Sequence, residues 1–390
     1  MTIKKTYEEI NNKIQKGEAV VLTAEQMVDF VKENGVKKAA EKVDIVTTGT
    51  FGPMCSSGAF INVGHSEPPI KIAKAWLNDV PAYAGLAAVD LYIGATELSE
   101  TKGFSYGGAH VIEDLINKKP VKLIAEAYGT DCYPKEEVEV NIRLKDINQA
   151  YLFNPRNVYQ NYAGATNSTK KTLYTYMGTL LPKYGNVNYC SAAQLSPLIN
   201  DPYYRTIGIG TRIFLAGAIG YVSWEGTQHA PSKERNKNGI PTSPSGTLAL
   251  IGNLKHMTTE FIRAASFYNY GTSIYVGVGI PIPILDEELA KFTSVSDEEI
   301  QTGILDYGVA SRSRPVIKKV SYKELRSGTI ALEGKKVSTA PLSSYKKARD
   351  IAENLKSWIE QGSFLLQKPL EKLSVDEVFK PLNIEEKEGG

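Results

Sequence analysis

VKLIAEAYGTDCYPKEEVEVNIRL, residues 121–144, reads as two strands joined by a turn. VKLIAEAY (121–128) and EVEVNIRL (137–144) have the composition and length of strands. The second alternates apolar and polar side chains, so one of its faces meets water. The glycine-bearing turn between them carries Cys132.

Working upstream, DIVTTGTF (44–51) is β-branched and runs into glycine, a strand feeding a loop. Before it lie helical segments. Thr23 with Gln26 forms a capping box, Asn34-Gly35 ends that helix in a left-handed cap, and VKKAAEKV (36–43) adds a further short turn or two. Downstream, SGTLALIGNLKHMTTEFIRAASF (245–267) reads as a long, mostly buried helix with His256 as a core histidine inside it. SIYVGVGIPIPIL (273–285) reads as a core strand ended by prolines. VIKKVSYKELRSGTIALEGKKV (316–337) reads as a hairpin ribbon turning at Ser327-Gly328 and Glu333-Gly334. A last helix follows Pro341, with Tyr345, Ala348, Ala352, Leu355 and Ile359 on one face and Gly362 closing it. IEEKEGG (384–390) reads as a frayed tail.

Helices and strands intermixed in this way predict an α/β fold, with mixed α+β as the alternative. It would be a mixed sheet with flanking helices, Gly-rich loops and a C-terminal hairpin plus helix. We expect one catalytic domain over residues 1–362, in one lobe or two, and a tail over 363–390.

Composition narrows the function classes. The 45 Lys+Arg nearly balance 43 Asp+Glu, which argues against a general nucleic-acid binder. With 42% hydrophobic and 23% charged residues the chain is of ordinary folded type. Three cysteines in 390 residues are no disulfide scaffold and suit a reducing compartment. The apolar run IFLAGAIGYVSW (213–224) is well short of the roughly 20 residues that span a bilayer, and the charged N-terminus lacks a signal-peptide core. The expectation is a soluble cytoplasmic protein that binds neither nucleic acid nor membrane.

The common cofactor signatures fail. There is no G-x-x-x-x-G-K-[ST], and IGIGTRI (207–213) lacks the third glycine of a dinucleotide fingerprint. No HExxH and no C-x-x-C occurs, so a zinc site of the usual spacing is not expected. The cysteines carry more information. Cys55, in GTFGPMCSSGAF (49–60), and Cys132, in AYGTDCYP (127–134), both follow predicted strand ends. Strand-end loops are where such folds place functional groups, and turn N–H groups can stabilise a thiolate. Asp131 works against this unless it points away. Cys190, in YGNVNYCSAAQLSPL (184–198), reads as a packing residue. In the segment 201–229, Arg205 and Arg212 flank Gly-rich backbone suited to an anion, with a structural ion pair an equal reading. There, Thr227, Gln228 and His229 form either a ligand shell or a hydrogen-bonded turn.

GTFGPMCSSGAF with GHSEPP (64–69) shortly after, AYGTDCYP, and QLSPLINDPYYRTIGIGTRIFLAGAIGYVSWEGTQH (194–229) together resemble the homocysteine biosynthesis family. Its characterised members are described as L-aspartate semialdehyde sulfurtransferases of methanogens and other anaerobes. The resemblance runs from about Asp44 to Tyr307. It implies sulfide incorporation into L-aspartate 4-semialdehyde to give homocysteine, with Cys55 and Cys132 as the functional cysteines and Cys132 carrying the persulfide. It also implies a separate ferredoxin-type iron–sulfur electron donor. Relatives often append a pair of nucleotide-sensing CBS modules; this sequence stops short of one, so that regulation is not expected here.

The chemistry fits. A persulfide is a strong nucleophile and an aldehyde an electrophile, but the resulting thiocarbonyl needs two electrons from outside. Arg212, with Gly210 and Thr211 beside it, is the candidate for the substrate carboxylate, and His65 or His229 for proton transfer. If Cys55 and Cys132 lie close, Cys55 can resolve the persulfide as a disulfide. Two other readings stay open: an iron–sulfur cluster on Cys55 and Cys132, with or without Cys190, that holds or delivers the sulfur, and a non-catalytic sulfur carrier for the ferredoxin-type partner. No other cofactor is expected, and homo-oligomerisation is left open.

Overall fold

The two strands of the opening stretch pair antiparallel, from Val121↔Ile142 to Glu126↔Glu137, in a computed structural model that describes residues 3–382. Val121–Ala127 then pairs on its other edge with Ile72–Leu77, and Val80–Ala82 completes a four-stranded sheet. The outer Glu137–Ile142 strand is largely exposed, in keeping with its alternation.

The centre of the molecule is a nine-stranded antiparallel sheet. Its order is Ile262–Phe267, Gly271–Gly279, Arg212–Leu215, Ala218–Glu225, Leu248–Asn253, Gln149–Asn157, Gly58–Asn62 and Asp90–Gly94, with Thr50–Pro53 added on Gly271–Gly279. A six-stranded sheet is mixed. Gly164–Thr166 runs parallel to Gln301–Asp306, and Asn186–Tyr189 parallel to Lys335–Pro341. With the helices Ala24–Asn34, Gly108–Ile116 and Tyr345–Glu360 packed around them, the architecture is α/β in composition, with mixed and antiparallel sheets rather than a wound parallel one. Among the described residues no helix is long and apolar enough to cross a membrane.

Several local expectations hold. Thr23 and Gln26 form the reciprocal capping box of Ala24–Asn34, and Gly35 follows at φ 81°, though its ψ of 158° is not that of a left-handed cap. The last helix buries Ala348, Ile351, Ala352, Leu355 and Ile359.

Three expectations are corrected. Residues 245–267 form two strands, Leu248–Asn253 and Ile262–Phe267, around a short 3-10 turn at Leu254–His256. Leu248, Ala249 and Leu250 are all buried because both faces of the sheet are covered there, and such a strand has the continuous apolar run of a buried helix. His256 is consequently exposed on the turn. Within 316–337, Glu333-Gly334 does turn a hairpin between Thr329–Leu332 and Lys335–Pro341. Ser327-Gly328 does not. A capping box of Ser321 and Glu324 starts a helical turn, Tyr322–Arg326, so Val316–Ser321 pairs with Gln301–Asp306 instead. Finally, the stretch after Gly362 is no free tail. Phe364 and Leu366 are buried and Glu371–Lys372 pairs with Gly208–Ile209, while IEEKEGG lies outside the described residues.

The C-terminal helix lies directly on the strands that carry the site. A Cβ on Gly279 would stand 2.8 Å from Ile351 Cγ2, one on Gly277 2.9 Å from Ile351 Cδ1, and one on Gly49 would run into the Ala348 carbonyl oxygen. Backbone on the helix side of Gly49 cannot yield as a flexible side chain would. Gly49→Ala is expected to cost about 1–3 kcal/mol and to lower the thermal unfolding midpoint by a few degrees. An unchanged midpoint would mean that the helix does not dock this closely.

Candidate active site

Cys55 stands in the turn between Thr50–Pro53 and Gly58–Asn62. Met54 N–H donates to Ile274 O at 2.7 Å, Ser57 N–H to Met54 O at 3.0 Å, and Ala95 N–H to Ser57 O at 2.8 Å. The first bond ties the turn to the Gly271–Gly279 strand, the second closes it on itself, and the third holds it to the residue after Asp90–Gly94. The Cys55 Sγ lies 3.3 Å from the buried Ser273 hydroxyl. Next to it, Ser56 Oγ donates to Arg156 O at 2.9 Å, tying the turn to the Gln149–Asn157 strand.

The turn opens on a cavity of about 620 Å³. Cys190 lines the same cavity, brought close to the Cys55 strand because position 52 is glycine: a Cβ there would lie 3.1 Å from Cys190 Sγ. Burial pushes the Cys190 thiol up to about 12, with the neighbouring Cys55 adding to the shift. The walls hold Tyr159, Tyr162, Tyr176, Tyr270 and Tyr307. Burial pushes Tyr159 up to about 12 and raises Tyr162, Tyr270 and Tyr307 as well, so these four phenols are hydrogen-bond donors at any working pH. The Tyr176 and Tyr307 hydroxyls are 2.9 Å apart.

Charge in the cavity is one-sided. Arg156, Lys233, Arg312 and Arg314 line it, and among the described residues none of its lining side chains is Asp or Glu. Among those residues, too, none of the four cations forms an ion pair. Arg314 stacks 3.8 Å over the Tyr307 ring and Arg312 4.5 Å over Phe379. The Nε atoms of Arg156 and Arg314 are buried without a partner. An open, water-accessible space walled by cations and protonated phenols favours an anion.

The other sequence candidates lie elsewhere. Cys132 is exposed at the tip of a tight turn in which Thr130 and Tyr133 exchange backbone hydrogen bonds at 2.9 and 3.0 Å. Those two N–H groups are thereby spent on each other and do not face the thiol. Tyr133 stacks on His65 at 5.5 Å, and His65 Nδ1 sits 3.0 Å from Ile70 O. Cys55 precedes the strand Gly58–Asn62 and His65 follows it, so the Cys132 turn is at the opposite end of that strand. Five residues at about 3.3 Å each separate the two ends, whereas a disulfide needs Cα atoms within ~7 Å. His229 is buried, its Nε2–H donating to Ser374 O at 2.9 Å and its Nδ1 accepting from Thr247 N–H at 3.1 Å. Both ring nitrogens are committed to holding the chain together. Its neighbour Gln228 is the member of that cluster that lines the cavity. Arg212 lies 4.8 Å over the Phe364 ring outside the cavity, although its Nε also lacks a partner. Thr211 Oγ1 accepts from Gly208 N–H at 2.9 Å, and Gly210, at φ 84°, lets Leu370 approach. Arg205 is a structural ion pair with Asp286 and Glu288.

Among the described residues no group of three His, Cys, Asp or Glu is placed to hold a metal ion. A cluster on all three cysteines does not fit this arrangement, since Cys132 is not in the cavity that Cys55 and Cys190 share. The sequence reading missed Arg156, Arg312, Arg314 and Lys233. SRSRP (311–315) looks like an ordinary surface loop, and only its spatial neighbours make it part of a site.

Residues 19–366 match the protein family described as "Homocysteine biosynthesis enzyme, sulfur-incorporation". The chain is 58% identical over 372 residues to the L-aspartate semialdehyde sulfurtransferase of Methanosarcina acetivorans, covering 95% of this chain and 72% of the relative. It is 55% identical over 386 residues to the protein of the same name from Methanocaldococcus jannaschii, covering 95% and 74%. A protein of Methanothermobacter thermautotrophicus without an assigned function is 30% identical over 336 residues. No solved structure matches.

The three thiols should separate by alkylation rate. With iodoacetamide at pH 8.5 and peptide mass spectrometry as the readout, Cys190 is expected to react at least ~30-fold more slowly than an ordinary thiol, since its thiolate is scarce. Its rate should keep rising about tenfold per pH unit through pH 10, where a thiol of ordinary acidity levels off. Equal early labelling of Cys190 and Cys132 would contradict the burial described here.

Proposed function

The chain belongs to the homocysteine biosynthesis, sulfur-incorporation family, and from that premise we propose that it is an L-aspartate semialdehyde sulfurtransferase whose chemistry takes place in the Cys55 cavity. The observation that carries this reading is the Cys55 thiol in the wall of a cavity lined by unpaired cations and protonated phenols.

Each part of the site has a task in the reaction. The cations draw in the substrate's carboxylate and an anionic sulfur species. Sulfur bound on Cys55 as a persulfide attacks the aldehyde carbon, and a C–S bond forms as the carbonyl π electrons move to oxygen. A tyrosine O–H donates to that oxygen as charge develops, and its raised pKa keeps it a donor throughout. Two electrons and two protons then cleave the S–S bond and return the Cys55 thiol. Loss of water from the freed hydroxy-thiol leaves a thiocarbonyl, and two further electrons and protons reduce it to the product thiol. Counted from sulfide, aldehyde plus hydrogen sulfide plus two electrons and two protons gives the thiol and one water. Counted from persulfide sulfur, four electrons are needed. A separate ferredoxin-type iron–sulfur protein supplies them.

Position divides the two functional cysteines. Cys132 is open to solvent, where a polysulfide or persulfide donor hands it zero-valent sulfur by exchange and is left one sulfur shorter, and it serves as the persulfide carrier. Cys55 meets the aldehyde inside. Transfer between them requires the 129–133 turn to leave its place, since the Gly58–Asn62 strand separates the two.

The test is an anaerobic assay in which the purified protein is first loaded with sulfur from polysulfide and then given aspartate semialdehyde and titanium(III) citrate, following homocysteine. Cys55→Ser is expected to lower turnover at least ~1,000-fold with unchanged thermal unfolding. Cys132→Ser is expected to abolish homocysteine formation while leaving the fold intact. Full activity in a well-folded Cys132→Ser protein would remove the carrier role, and full activity in Cys55→Ser would remove the site.

A further inference from the structure

The substrate assigned above carries one carboxylate, one ammonium and one aldehyde, and the cavity is matched to only one of the two charges. Arg156, Lys233, Arg312 and Arg314 face it, and no described lining residue is an Asp or Glu. An ammonium placed there meets four like charges and finds only neutral oxygens as partners, the tyrosine hydroxyls, Gln228 and backbone carbonyls. A carboxylate meets two guanidinium groups whose buried Nε atoms lack any partner. Among the described residues neither guanidinium has a carboxylate partner, and a bound carboxylate supplies the counter-charge that both lack. The Arg314 guanidinium is held by stacking, and the Arg156 backbone is held beside the thiol. Arg314 is stacked 3.8 Å over the Tyr307 ring. Arg156 is anchored at its backbone, where its carbonyl accepts from Ser56, next in sequence to the reacting thiol.

Resting on the sulfurtransferase reading, we propose that Arg156 and Arg314 select the substrate by its carboxylate, and that the α-amino group is not required. The protein therefore also acts on 4-oxobutanoate, the same aldehyde acid without the amine. Counted from sulfide, that reaction is 4-oxobutanoate plus hydrogen sulfide plus two electrons and two protons giving 4-sulfanylbutanoate plus water. The C=O oxygen leaves as water, a C–S bond replaces it, and carbon is reduced by two electrons from the same low-potential donor, titanium(III) in the assay.

Three aldehydes separate the possibilities: aspartate semialdehyde, 4-oxobutanoate and uncharged butanal, each given with titanium(III) citrate to protein loaded with sulfur from polysulfide, under anaerobic conditions. We expect 4-oxobutanoate to be converted with a kcat/KM within about tenfold of aspartate semialdehyde, and butanal at least ~100-fold below both, for want of a carboxylate. Arg314→Gln and Arg156→Gln should each raise KM for both acids by about 10- to 100-fold. Thermal unfolding of the variants is followed alongside, and Arg314→Lys, which keeps the charge without the fork, should recover part of the loss. Conversion of aspartate semialdehyde without conversion of 4-oxobutanoate would overturn the proposal and leave the proposed function standing. Unaltered KM values in both folded arginine variants would overturn the residue assignment. Failure of both acids in the wild type would overturn the function and this inference together.

Discussion

The close seating of the Tyr345–Glu360 helix on the Gly49–Pro53 and Gly271–Gly279 backbone holds the rest of the site in place. Its approach depends on glycine at 49, 277 and 279, where any Cβ would meet the helix. The residues leading into the helix then reach both thiol-bearing segments. Ser344 N–H donates to Phe51 O at 2.9 Å on the Cys55 side. On the Cys190 side, Ser343 Oγ donates to Ser191 O at 2.7 Å and accepts from Ser191 N–H at 3.0 Å. Leu342 lines the cavity itself and its carbonyl accepts from the Tyr275 hydroxyl at 2.9 Å. One helix end therefore sets the spacing of two loops that are far apart in sequence.

What those loops enclose is suited to anions by subtraction as much as by addition. Cationic side chains in a protein usually meet carboxylates, and elsewhere in this molecule they do: Arg205 with Asp286, Arg349 with Glu25, Lys5 and Lys13 with the buried Asp44. Around the cavity they meet aromatic faces instead, Tyr307 and Phe379. A ring orients a guanidinium without neutralising it, so the full charge stays available to whatever enters. The phenols complement this, since burial keeps Tyr159 and Tyr162 protonated and able to donate to a developing alkoxide.

Much of the fold is legible in the sequence because it is written locally. The capping box at Thr23, the alternation in Glu137–Ile142 and the three- and four-residue spacing after Pro341 are short-range signals, and each forms as read. Residues 245–267 carry the apolar run of a helix because a strand covered on both faces loses its period of two. The site was legible in part. Cys55 announced itself by its glycine-bearing turn after a strand. Cys190 and the cavity arginines could not, because their meaning comes from sheets that bring residues 55, 156, 190 and 314 to one place. The segment 194–229 drew attention by its density of glycine and charge, yet most of that density serves packing: Gly210 admits Leu370 and His229 ties down Ser374.

The docking of the last helix also has a consequence for how the chain comes into being. Thr50–Pro53 leaves the ribosome early, but its strand partner Gly271–Gly279 and its covering helix Tyr345–Glu360 follow only after most of the chain has been made. At about 5–20 residues per second, the Cys55 strand waits many seconds with Phe51 and its edge uncovered. Loop closure over such a separation is slow, and an unpaired edge in the interval invites wrong partners. Folding of the site is therefore a late event, and a nascent chain stalled or cut before Tyr345 would have both thiol-bearing segments but no means of bringing them together.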